Sequence, residues 1–173
     1  MSTINEVFAE AENEVEEQYN SSHRKEIITA VHGLVDLLNW KSVWDQPAKE
    51  FQFYSVDELT RIGWRLAIYQ YNLIEYELEA YKNTKKAECA IDSNKYTIRK
   101  KIIAESEKKP NETDIRARTD SLLVKFNIIK ELHEVEHNRL TAMKFSINTI
   151  NNRLESRIKY LLSDINQKFK NEE

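Results

Sequence analysis

The sequence predicts an all-α protein, a long antiparallel, coiled-coil-like helical hairpin preceded by a small N-terminal helical region. Three observations predict it. Only two Gly and two Pro occur in 173 residues, so the punctuation that turns and hairpin strands require is nearly absent. Charged residues make up 32% of the chain and hydrophobic residues 40%, a balance that suits helices with one apolar stripe and a solvated remainder. In the second half the apolar residues recur at alternating three- and four-residue spacing, which specifies left-handed helix packing.

The elements follow in order. The spacing of Ile4, Val7, Phe8, Ala11 and Val15 predicts a first helix over about residues 3–19. Asn20-Ser21-Ser22 offers short polar side chains for a cap. A second helix then carries Ile27, Ile28, Val31, Leu34, Leu37 and Leu38. The aromatics of the next stretch (Trp40, Trp44, Phe51, Phe53 and Tyr54) break the period and are expected to make lid or core contacts. Ser55-Val56-Asp57-Glu58 is a capping box that launches a helix to about residue 92. Its seam is expected at Trp64, Ala67, Tyr71, Ile74, Leu78 and Tyr81, with Ile68 supplying bulk beside the small Ala67.

Residues 93–111, polar, basic and ending near Pro110, are expected to form a turn with short helix on either side. Asn111 caps the last helix, over about residues 112–168. That helix presents Leu122, Phe126, Ile129, His133, Glu136, Leu140, Met143, Ile147, Ile150, Leu154, Arg157 and Leu161 as its seam. Two regions result: residues 1–54, acidic and helical, and residues 55–173, a hairpin with a basic tip at about 82–118. Two helices leave apolar seams uncovered, so a homo-oligomer is expected.

Charge is distributed unevenly. Residues 1–81 hold 6 Lys and Arg against 15 Asp and Glu, whereas residues 82–170 hold 20 against 12. The basic part is expected to meet a polyanion or acidic partner, or the two parts attract each other within one molecule or between subunits. No stretch of eighteen apolar residues occurs, so no membrane partner is expected. The acidic opening residues lack a signal-peptide pattern, and the single Cys89 suits a reducing cytoplasm. If the chain is phage-encoded, that is the host cytoplasm.

The stretch His133-Glu134-Val135-Glu136-His137 spells the H-E-x-x-H word of zinc proteases. Both imidazoles share a helix face, as ligation requires. The third ligand is missing: no Gly or His follows, and Glu155 lies about 27 Å along the same helix axis. A polar layer in a helical seam, fixing register or oligomeric state, accounts better for the motif. A di-iron site needs a second Glu-x-x-His on another helix, and neither His23 nor His32 has a Glu three residues before it. Two Gly cannot build a P-loop, and Cys89 reads as a small buried side chain. No catalytic residue, metal ligand or cofactor is assigned, and a non-enzyme is expected.

The remaining chemistry is cationic. Lys82, Lys85, Lys86, Lys95, Arg99, Lys100 and Lys101 gather toward the tip with Tyr81 and Tyr96 among them. Lys108, Lys109, Arg116 and Arg118 follow. Such residues can track a phosphate backbone and stack unpaired bases without reading sequence; the alternative is a solvated tip whose lysines keep the protein soluble.

Glu79-Ala80-Tyr81-Lys82, followed by a basic run, resembles the E-A-x-K motif ending the first long helix of phage recombination mediators of the UvsY type. Leu140, Ile147, Ile150 and Arg153 resemble the pattern of that family's last helix. The resemblance covers roughly residues 65–160. It implies a ring-like homo-oligomer that binds single-stranded DNA and helps load a recombinase, with Lys82 in the matched motif and Lys85 and Lys86 adjoining it. The acidic extension departs from that pattern. The alternative is a phage-encoded protein–protein module, in which Glu6, Glu10, Glu14 and Glu17 face a host defence or transcription complex, or a virion component.

Overall fold

A computed structural model describes residues 4–37, 54–106 and 110–171, and every regular element among them is an α-helix. These are α1 (Ile4–Tyr19), α2 (Ser22–Leu37), α3 (Val56–Glu105) and α4 (Glu112–Asn171). The two long helices, α3 of 50 residues and α4 of 60, pack extensively against each other, and α1 and α2 form the small N-terminal region. The aromatic segment with Trp40, Trp44, Phe51 and Phe53, and likewise Leu38, Lys108 and Lys109, lie outside the described residues.

Local chemistry fixes the helix starts. The Ser55 amide donates to Glu58 Oε2 at 2.8 Å and the Glu58 amide donates to Ser55 Oγ at 3.3 Å, closing the capping box that begins α3. The Asp114 amide donates to Asn111 Oδ1 at 2.7 Å, capping α4. The end of α3 differs from the sequence expectation, because the helix continues past residue 92 to Glu105. Its polar residues do not interrupt it. Asn94 Nδ2 donates to the Ala90 carbonyl at 2.8 Å and Thr97 Oγ1 to the Ser93 carbonyl at 3.2 Å. Side chains bonded one turn back leave the backbone ladder intact, and buried Ile102 extends the apolar face.

The described chain forms two compact units. The first joins the residues up to Ser21 with Glu77–Arg139. Its interior is made of small or hydroxylated side chains, Ala11, Val15, Ala80, Thr84 and Thr119, with Ile102, Ile115, Leu123 and His133. The second joins Ser22–Tyr76 with the residues from Leu140 onward. It buries Ile27 and Val31 of α2, Leu59, Leu66 and Leu73 of α3, and Leu140, Met143, Ile147, Ile150 and Leu154 of α4. The Arg24 guanidinium is also buried there, 4.9 Å from the centroid of the Tyr76 ring.

The α4 side of the second unit's core uses the seam positions the spacing predicts, but the α3 side does not. Trp64 is 71% exposed and Tyr71 65%, and Ala67, Ile68, Ile74 and Leu78 are exposed as well. The buried row is Leu59, Leu66, Leu73 and Ala80, at strict seven-residue spacing. Both rows satisfy a heptad count. Aliphatic Leu interdigitates with Ile147, Ile150 and Leu154 and carries no polar atom, whereas Trp and Tyr bring an N–H or O–H that needs water or a partner. In α4 a similar choice falls between neighbours: Leu122 is 59% exposed and Leu123 only 3%.

The register of α4 is testable at that pair. Leu123→Ala should cost about 2–5 kcal/mol, as for a filled core site. Leu122→Ala should stay within about 0.5 kcal/mol. Urea unfolding monitored by circular dichroism distinguishes them, and equal effects would refute the assignment of Leu123 to the core.

Candidate nucleic-acid interface

Lys82, Lys85, Lys86, Lys95, Arg99, Lys100 and Lys101 lie in the first unit along α3, and Arg116 and Arg118 lie in the same unit on α4. Lys82, Lys86 and Lys100 fall on one side of α3, since offsets of four and fourteen residues are close to whole turns at about 3.6 residues each. All three are exposed. Lys100 Nζ stands 4.4 Å from the centroid of the Tyr96 ring, and Lys85 Nζ stands 5.7 Å from that of Tyr81. Tyr96 and Tyr81 are themselves exposed. Tyr96 therefore sets an aromatic face on the side of α3 that carries Lys82, Lys86 and Lys100, a combination that can hold a phosphate backbone and stack a base, whereas Tyr81 is turned toward His137 of α4.

Several predicted cations have partners inside the chain. Lys85 bonds Glu88 at 2.7 Å, and this contact holds the Lys85 ammonium above its ordinary pKa and the Glu88 carboxyl below its own. Arg99 bonds Glu112 across the hairpin at 2.6 Å. Lys101 lies 3.8 Å from Glu105. Exposed pairs like these are weak and exchange partners readily. Lys95 is exposed on a different side of α3 from Lys82 and Lys100. On α4, Arg116 lies 3.8 Å from Asp120. Cys89 is exposed, not buried as its small apolar character suggests, because it lies on the outer side of α3 with Lys82 and Lys100.

The acidic and basic parts do meet within one molecule. Lys125 of α4 lies 3.6 Å from Glu10 and 3.3 Å from Glu14 of α1. Between α1, α3 and α4 is a groove of about 480 Å³, lined by Glu14, Gln18, Glu79, Asn83, Lys86, Ala87, Ala90, Phe126, Ile129 and His133. His133 closes its floor. Tyr19 Oη lies 2.8 Å from His133 Nδ1, and Asn83 Nδ2 donates to the same phenol oxygen at 3.4 Å. The Tyr19 and His133 rings meet edge to face, with centroids 5.6 Å apart. The phenol donates to Nδ1 when the imidazole carries its proton on Nε2 and accepts from it when the proton is on Nδ1. Burial pushes the His133 pKa below the ordinary histidine value, and the Glu14 carboxylate opposes that shift in part.

The other polar members of the H-E-x-x-H word are engaged by neighbours. Glu134 lies 3.2 Å from Lys130, Glu136 lies 3.4 Å from Arg139, and the His137 ring stands 5.8 Å from that of Tyr81. Among the described residues no group of three or more His, Cys, Asp or Glu is placed to hold a metal ion, and no helix is long and apolar enough to cross a membrane. Tyr19, Asn83 and Lys125 are participants that periodicity does not single out. Only the polar His133 at a seam position signals that a partner is needed. No family model, curated protein or solved structure matches the chain.

His133 gives the first unit a pH dependence of definite sign. Its folded-state pKa is depressed, so its contribution is fully present above the ordinary value of about 6.5 and is lost as pH falls through the folded-state value. Thermal stability should fall as the pH drops below about 6.5, and His133→Gln should flatten that slope. An unchanged slope in the variant would show that the imidazole is not the group responsible.

Proposed function

We propose that the protein is a non-catalytic, single-stranded-DNA-binding accessory factor of recombination, acting as a homo-oligomer. The observation that carries the nucleic-acid part is the exposed α3 surface that joins Lys82, Lys86 and Lys100 with the ring of Tyr96. A flexible single strand can follow such a surface, setting phosphates against ammonium groups and an unstacked base against the ring. Nothing on it matches the fixed donor and acceptor array of base-specific readout, so binding is tolerant of sequence. The recombination role is supported by the likeness of Glu79-Ala80-Tyr81-Lys82 to the mediator motif. The rival use of α1 as an acidic docking face is less well supported, because Glu10 and Glu14 face Lys125 within the chain.

Fluorescence anisotropy with a labelled oligonucleotide at several salt concentrations tests the proposal. Each phosphate contact on a single strand contributes about 0.7 to the slope of log affinity against log salt. Replacing Lys82, Lys86 and Lys100 by Ala together should lower that slope by about two. Tyr96→Ala should weaken binding by about 1–3 kcal/mol. Lys159→Ala, on α4 in the second unit, should change neither. No binding at low salt, or a slope indifferent to the three lysines, would sink the reading.

A further inference from the structure

In the second unit α3 is apolar on two sides, and α2 and α4 cover only one. Trp64, Ala67, Ile68, Tyr71 and Ile74 form the second row, exposed throughout. We infer that this row is an isologous interface between two copies of the chain, with the two α3 helices antiparallel. The inference rests on the oligomeric part of the function proposed above and gives it a surface and a symmetry.

Both spacing and charge point to that partner. Trp64, Ala67, Tyr71 and Ile74 occupy alternating three- and four-residue positions, the pattern that seats side chains of one helix between those of another. With the two-fold axis level with residue 69, one step along from Ile68, Trp64 of one copy meets Ile74 of the other, and Tyr71 meets Ala67. Each layer then pairs a large side chain with a smaller one, as interdigitation requires. Arg61 and Glu75 lie seven residues to either side of Ile68, on one flank of the row, and both are exposed. In antiparallel helix pairs like flank faces like flank, so Arg61 of each copy stands beside Glu75 of the other. A parallel pair in register would instead align the rows head to head and leave the Arg61–Glu75 complement unused.

The four large side chains present roughly 500 Å² of surface, taking about 150–250 Å² for each aromatic at the observed exposures. A standard interface buries about 800 Å² per partner, and the stems of Arg61 and Glu75 extend the row toward that figure. Gly63 adds a second sign. A Cβ built there would meet nothing within 4 Å, so the chain's own packing does not explain a residue that weakens a helix interior. It lies on the opposite flank, beside Ala67, where a second helix can approach closely.

Light scattering on the full chain without nucleic acid tests the interface separately from DNA binding. The expected mass is twice the 20.5 kDa of one chain, and Tyr71→Glu should reduce it to one copy without loss of helical content. Arg61→Glu should weaken self-association at least about tenfold, and adding Glu75→Arg should restore it. With Cys89→Ser as background, Ile68→Cys should form an intermolecular disulfide and Trp64→Cys should not. A one-copy mass for the parent chain, an assembly that survives Tyr71→Glu, or crosslinking at residue 64 in place of 68 would each overturn the proposal.

Discussion

The structure depends on α3 presenting Leu59, Leu66, Leu73 and Ala80 as a single buried row. With almost no Gly or Pro the chain cannot fold back often, so its apolar side chains find cover only along helix lengths. Each compact unit is accordingly built on a segment of α3, with α4 beside it and one short helix closing the remaining side. What changes along the row is side-chain size. In the second unit it carries Leu against Ile147, Ile150 and Leu154. In the first it gives way to Ala80 and Thr84, opposite Ala11 and Val15. Thr84 and Thr119 satisfy their hydroxyls on carbonyls one turn back, at 3.0 and 2.7 Å, so they fill space without needing distant partners. Hydrophobic stabilisation scales with apolar area removed from water. The second unit buries the larger aliphatic side chains among the described residues, and the basic surface belongs to the unit with the smaller ones.

What the sequence makes legible is what short-range chemistry decides. The capping box at Ser55 and Glu58 and the cap at Asn111 involve residues three apart, and both form. The α4 row from Leu140 to Leu154 is legible because no competing row lies on that stretch of helix. On α3 two rows compete, and counting large residues favours the one with Trp64 and Tyr71. Periodicity measures how apolar a face is and says nothing about which neighbour covers it. The end of α3 escapes for a different reason: Ser93, Asn94 and Thr97 favour turns in general, yet here Asn94 and Thr97 bond back onto the helix. The bond between Tyr19 and His133 joins residues 114 positions apart, and nothing local to either one names the other.

The charge polarity of the chain is put to limited energetic use. Lys125 with Glu10 and Glu14, and Arg99 with Glu112, are partly or largely exposed, and pairs of that kind contribute little to stability. α1 is held by the burial of Ala11 and Val15 and by Tyr19, which reaches the buried His133. Electrostatics decides instead what the surface can receive. At physiological ionic strength charges more than about 8 Å apart are largely screened, so Glu14 and Glu79, which line the groove with Lys86, bear on that lysine more than on Lys100 farther along α3. A strand passing over Lys82, Lys86 and Lys100 meets local positive charge although the molecule as a whole is acidic. Weak pairs such as Lys85 with Glu88 can yield to a phosphate at small cost, because the carboxylate released is already solvated. A net negative protein can in this way still present one face to a polyanion, provided its cations share a helix side.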